Sequence, residues 1–155
     1  MSHSSKALRR FNHLINETEE AYHDASIRLG LSYSVMQILY TVYDYGDGHR
    51  CPIREVCART GISKQTINSA LRKLEGEGII RLEQAGGKRK DVCLTERGLA
   101  LTQHTVAKIM DVENAVLASW EPEDVETYLT LSERYLNAFR NGIKNLEEDR
   151  GTGEA

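Results

Sequence analysis

Over residues 63–73 of this 155-residue chain, the side chains able to do polar chemistry fall on one side of a helical repeat. Ser63 is a favoured N-cap type, and Ile67, Ala70, Leu71 and Leu74 follow it at the i, i+3, i+4, i+7 spacing of one buried stripe. At 3.6 residues per turn the opposite face carries Gln65, Asn68, Ser69, Arg72 and Lys73, with Lys64 and Thr66 at its N-terminal margin. Carboxamides, hydroxyls and a guanidinium so arranged, from Ser63 through Lys73, are the groups that hydrogen-bond base edges and hold phosphates.

Such a face needs a scaffold that presents it. Upstream, Ile53, Val56 and Cys57 repeat at i, i+3, i+4 after Pro52, and Gly61 ends that short helix. Gly61, Ile62 and the Ser63 cap then make the short turn of a helix-turn-helix. Downstream, Gly76 and Gly78 stop helical continuation, Ile79, Ile80 and Leu82 read as a strand, and Val92 and Leu94 resume the alternation after a Gly86-Gly87 turn. The tip of that hairpin carries Lys88, Arg89 and Lys90, three consecutive cations that should be exposed. Thr95 and Glu96 open the next helix.

Charge follows the same division. The formal net charge is -3, which argues against a chain that merely coats nucleic acid. Residues 50–98, however, hold eleven Lys or Arg against six Asp or Glu, while the remainder holds nine against seventeen. A basic module in an acidic body suits salt-sensitive docking on DNA; the bland alternative is a solvated charged surface. The helix-turn-helix spacing decides in favour of DNA.

The order LSYSVMQIL, GISKQTINSALRKLEGEGII, a basic turn and LTERG resembles the MarR-type winged-helix transcription regulators, over nearly the whole chain and weakly at both ends. The most specific pieces are Leu74, Glu75, Gly78 and Ile79 closing the recognition helix, and the LTE-x-G that closes the wing. The resemblance implies a dimer interdigitated through first and last helices, binding palindromic operators, most often as a repressor. It also implies a small aromatic or amphipathic effector held between the dimer helices and the DNA module. Members of that family often carry an acidic residue shortly before a wing-tip arginine, as its buttress. Here Gly86, Gly87 and Lys88 occupy that stretch, leaving Lys88, Arg89 and Lys90 as alternative groove contacts.

The remaining elements are expected to be helical. Residues 6–29 place Leu8, Phe11, Leu14, Ile15, Thr18, Tyr22, Ala25 and Leu29 along one stripe. A second helix over about 33–45, capped by Ser32, is apolar on most sides, and GDGHRCP (46–52) reads as turn. Residues 96–119 read as one long helix, and after the Glu121-Pro122 break a last helix runs to about Leu146, with a frayed tail after Glu147. These long amphipathic helices exceed what a small winged helix can cover, so a second copy of the chain is the simplest partner. The expected fold is mainly α with a small β-hairpin wing. One domain spans 1–155, with a winged helix-turn-helix over about 32–98 and a helical dimerisation region over about 6–29 and 99–147.

Other chemistries find less support. Cys51, Cys57 and Cys93 are odd in number and no secretion signal is evident, which disfavours structural disulfides. Cys57 reads as a packing residue on its helix stripe. Cys51, in turn chemistry beside His49 and Arg50, is the one thiol whose pKa such neighbours could lower, which makes redox sensing the minor alternative there. Redox sensors of the resembled family tend to carry a cysteine in the first helix, which here has none. No metal-spaced His or Cys pair, phosphate loop or nucleophile elbow occurs, so neither a cofactor nor an enzyme is expected. Seven tyrosines against two phenylalanines is uneven, and Tyr22, Tyr33, Tyr40 and Tyr43 fall on the first two helices. Tyr22, Tyr40 and Tyr43 are candidates to line an effector cleft, against the ordinary reading of packed rings with wet hydroxyls. No apolar run approaches ~20 residues, so no membrane span is expected and the cytoplasm is the simplest compartment. A rival from another class is a winged-helix protein-interaction module that does not bind DNA.

Overall fold

The computed structural model describes residues 3–47 and 49–148, with the side chains of Glu147 and Glu148 left aside. Along the chain run α1 (Lys6–Arg28), α2 (Tyr33–Asp44), β1 (Arg50–Pro52), α3 (Ile53–Thr60), α4 (Lys64–Gly76), β2 (Ile80–Gln84), β3 (Lys90–Leu94), α5 (Glu96–His104), α6 (Val106–Ala118) and α7 (Pro122–Glu148). It divides into two compact units, residues 1–110 and 111–155. The first holds the core. Ile38, Leu39 and Val42 of α2, Val56 of α3, Ile67, Leu71 and Leu74 of α4, Ile80, Val92 and Val106 are all buried together. Each such side chain contributes about 1.5–3 kcal/mol of apolar burial, so α2 is the floor on which the helix-turn-helix rests.

Side-chain caps start the helices where expected: Ser5 Oγ accepts from the Leu8 amide at 3.0 Å, Ser32 Oγ from Val35 at 3.3 Å and Thr95 Oγ1 from Gly98 at 3.0 Å. Gly61, at φ 65°, ends α3 in the left-handed conformation that a side chain would strain.

Two features depart from the sequence reading. The stretch expected to be turn includes a strand, β1, so the wing is a three-stranded antiparallel sheet of order β1-β3-β2 rather than a bare hairpin. Its register pairs Arg50 with Cys93 and Pro52 with Asp91, while β2 pairs Glu83 with Asp91 and Arg81 with Cys93. The expected long helix over 96–119 breaks at Thr105 (φ -124°, ψ -89°). There Thr102 Oγ1 donates to Leu99 O and Thr105 Oγ1 to Leu101 O, while His104 Nδ1 lies 2.7 Å from Ala100 O. Side chains bonding back onto carbonyls of the preceding turn bend a helix, and three do so here within four residues.

In the second unit α7 is a 27-residue amphipathic helix. Tyr128, Leu129, Tyr135, Leu136, Phe139, Ile143 and Leu146 are exposed along it, with Tyr135 and Phe139 stacked at 5.8 Å. Of the tail expected to fray after Glu147, Glu148 is still the last residue of α7, and the rest lies outside the described residues.

Candidate nucleic-acid interface

The buried stripe of α4 turns its polar positions outward. Lys64, Gln65, Asn68, Ser69, Arg72 and Lys73 are exposed, and among the described residues none has a side-chain hydrogen bond or ion pair. Five of them, Lys64, Gln65, Asn68, Ser69 and Arg72, border one shallow depression of about 460 Å³. Ser63 has a different part: its Oγ accepts from the Thr66 amide at 3.2 Å and lies 2.9 Å from Thr66 Oγ1, to which it donates. The cap hydroxyl is thus occupied within the helix, and the Thr66 hydroxyl keeps its proton for a partner outside. Unpaired carboxamides and a guanidinium on a rigid helix can make the bidentate contacts that distinguish adenine and guanine edges.

At the wing, the β2–β3 turn is closed by the Ala85 amide to Arg89 O (3.0 Å) and the Arg89 amide to Gly86 O (3.2 Å). Gly86 and Gly87 both have positive φ, which permits so tight a turn. Lys88, Arg89 and Lys90 are exposed there as expected. The three are not equivalent. Arg89 places Nε 3.1 Å from Asp91 Oδ1 and Nη2 3.4 Å from Oδ2, and this carboxylate raises its pKa above the ordinary arginine value, by hydrogen bonding first and by charge second. The acid that buttresses the wing arginine thus follows it by two residues instead of preceding it. Strand periodicity does not join the two, because Arg89 lies in the turn ahead of β3 and only Asp91 is in the strand.

Behind Arg89 the ion pairs continue. Asp91, with a side chain 2% exposed, also receives Arg50 Nε at 2.9 Å. Arg50 Nη2 reaches Glu83 at 2.6 Å, and Arg81 Nη2 reaches the other oxygen of Glu83 at 3.0 Å. The Arg81 hydrogen bond, helped by the charge of Arg50, holds the Glu83 carboxyl below its usual range against a desolvation cost.

Cys51 corrects a sequence expectation. It lies fully buried in β1, not in a turn, and burial pushes its thiol up to about 11 despite the positive charge of Arg59. Cys93, also buried, is raised for the same reason, and Cys57 is half-buried at the edge of the core. The described residues include no group of three His, Cys, Asp or Glu that could hold a metal. Nor is any described helix long and apolar enough to cross a membrane.

Tyr22, Tyr33, Tyr40 and Tyr43 all pack half-buried against the core. Tyr33 stacks on His23 at 3.7 Å. Of the three candidate cleft residues, Tyr43 borders an open cleft of about 570 Å³ with Gly46, Asp47, His49, Leu99 and Gln103, whereas Tyr22 and Tyr40 are not among the residues that line it.

Comparison with known proteins extends this geometry. The family model of the MarR family matches residues 29–90, the segment from the end of α1 to the wing tip. No curated protein sequence matches the chain. Among solved structures, a MarR family regulator from Neisseria meningitidis is similar over 94% of this chain and 99% of its own, with 19% identity and a TM-score of 0.75. A MarR family transcriptional regulator from Streptomyces coelicolor, in complex with DNA, is similar over 89% of this chain and 91% of its own, with 16% identity and a TM-score of 0.66. The PcaV transcriptional regulator from Streptomyces coelicolor, in complex with its natural ligand, is similar over 89% and 99%, with 19% identity and a TM-score of 0.60. At these identities the likeness is one of fold.

Proposed function

We propose, on the match of residues 29–90 to the MarR family model, that the protein is a sequence-specific regulator of transcription that binds double-stranded DNA. The observation that carries this reading is the outward face of α4, where six polar side chains stand unpaired among the described residues, opposite a fully buried stripe. Gln65, Thr66, Asn68, Ser69 and Arg72 read base edges in the major groove, Lys64 and Lys73 hold phosphates, and Ser63 fixes the start of the helix. Lys88, Arg89 and Lys90 meet the backbone or the minor groove, with Arg89 the one oriented by a carboxylate.

The whole chain acts as one functional unit, with the DNA module over about 32–98 and dimerisation helices on either side. The exposed apolar stripe of α7, and separately Leu8, Leu14 and Ile15 of α1, are covered by a second copy. Two-fold symmetry then makes the operator palindromic. Occupying a promoter represses it. The solved PcaV complex holds that protein's natural ligand; in this chain the cleft beside Tyr43 takes a small aromatic effector. Titration of a fluorescent duplex by anisotropy at two salt concentrations tests the reading. Binding that weakens steeply with salt is expected, because phosphate contacts release counterions. A chain that ignores duplex DNA at low salt would be a protein-docking module instead.

A further inference from the structure

We propose that Arg50, on β1, is a positioning residue for the wing: it keeps the buried Asp91 carboxylate neutralised, so that Arg89 can leave that carboxylate for DNA. This rests on the proposed DNA-binding function and adds a residue outside the helix and the turn that would touch the duplex.

The sheet register sets the problem. Pro52, Asp91 and Glu83 lie in one row across the three strands, and Arg50, Cys93 and Arg81 lie two residues along, on the same face. Two carboxylates, Asp91 and Glu83, therefore face each other directly across β3 and β2, an arrangement that disfavours strand pairing unless a cation spans it. Arg50 spans it, with Nε on Asp91 and Nη2 on Glu83. Glu83 also has Arg81, and Asp91 also has Arg89. Three guanidinium groups serve two carboxylates, so one cation is in surplus. Arg89 is the one at the exposed turn.

Burial makes that surplus matter. Asp91 is 2% exposed, whereas the side chains of Arg50 and Arg89 are 46% and 48% exposed. Stripping the last cation from a buried carboxylate is strongly unfavourable, because the orphaned charge has neither water nor partner. With Arg50 in place, Arg89 moves to a phosphate or groove and Asp91 stays paired. Without Arg50, the same movement leaves Asp91 alone, and Arg89 remains on it. Arg50 therefore governs DNA affinity through Arg89 and not through a contact of its own. Lysine supplies the charge without the fork that reaches both carboxylates, so it restores part of the function.

The test is a double-mutant cycle on one duplex, comparing the native chain, Arg50→Met, Arg50→Lys, Arg89→Ala and the Arg50→Met/Arg89→Ala pair. Arg50→Met is expected to weaken binding about tenfold in the native background but less than about twofold when Arg89 is already alanine. Arg50→Lys should recover most of the loss. Equal losses in both backgrounds would show that Arg50 acts independently, by touching DNA or by holding the fold, and would overturn the proposal. So would no loss from Arg50→Met, or an Arg50→Lys chain as weak as Arg50→Met. Should Arg50→Met not fold, the Asp91→Asn background, which removes the buried charge, takes its place: there Arg50→Met should leave affinity unchanged, and a further loss refutes the role. Failure of the native chain to bind any duplex at low salt would instead refute the DNA-binding reading, and this proposal with it.

Discussion

Gly98 lies against the backbone of Ile79, so that a Cβ on Gly98 would stand 1.9 Å from the Ile79 carbonyl oxygen and 3.0 Å from its carbon. That oxygen is held in place by the Thr95 amide, which donates to it at 3.1 Å, and the Thr95 hydroxyl, which donates to Gly78 O at 2.6 Å, lies 3.1 Å from it. Gly98 is therefore required for space where α5 meets the start of the wing. Gly98→Ala should cost about 1–3 kcal/mol or more, since backbone must move. Gly76→Ala, in the last turn of α4 with nothing within 4 Å, should be neutral or stabilise by up to about 1 kcal/mol. Thermal melting of the two variants checks this; equal melting temperatures would contradict the packing described.

Ile67 and Asn68 are chain neighbours with opposite surroundings, one fully buried and one exposed. Ile67→Ala should lower stability by about 2–5 kcal/mol through the cavity it leaves under α4. Asn68→Ala should leave urea unfolding unchanged while weakening binding to a preferred duplex. A loss of stability in Asn68→Ala, with affinity intact, would reverse the assignment of the two faces.

Arg72 and Lys88 are expected to differ in kind. Arg72→Ala should cost about 1–3 kcal/mol of binding and reduce discrimination between preferred and random duplexes. Lys88→Ala should weaken all duplexes alike and flatten the salt dependence. Equal losses on preferred and random DNA for Arg72→Ala would make it a phosphate clamp.

Burial of Cys51 raises its thiol from the ordinary 9.0 to about 11. The folded chain therefore holds this proton more tightly than the unfolded one, so its contribution to stability is complete below pH 9.0 and declines as pH rises towards about 11. Cys51→Ala should flatten stability over that interval. At neutral pH, alkylation followed by peptide mass analysis should modify the half-buried Cys57 ahead of Cys51. Preferential labelling of Cys51, or a peroxide effect on DNA binding that Cys51→Ala abolishes, would restore a redox role.

The helix-turn-helix was legible because period and punctuation agree: Pro52, Gly61 and Ser63 mark ends that the stripes through Val56 and Ile67 confirm, and α3 and α4 begin and end where expected. What escaped was decided by partners distant in sequence. β1 has three residues, too few for a period, and is a strand only because β3 pairs with it. The break at Thr105 has no Gly or Pro to announce it; threonine hydroxyls and His104 bonding backwards do the work. In the site, the exposed face of α4 followed from its spacing. The asymmetry between Lys88 and Arg89 did not, because it depends on a carboxylate whose burial only the sheet reveals.

Selection of bound sequences from random duplexes tests the central claim most directly, namely that two copies of the α4 face are presented to DNA by one two-fold assembly. The expected outcome is an enriched palindrome whose half-sites lie about 10–10.5 base pairs apart, centre to centre, or a multiple of that spacing. Recovery of unenriched sequence, or of a motif without two-fold symmetry, would contradict it.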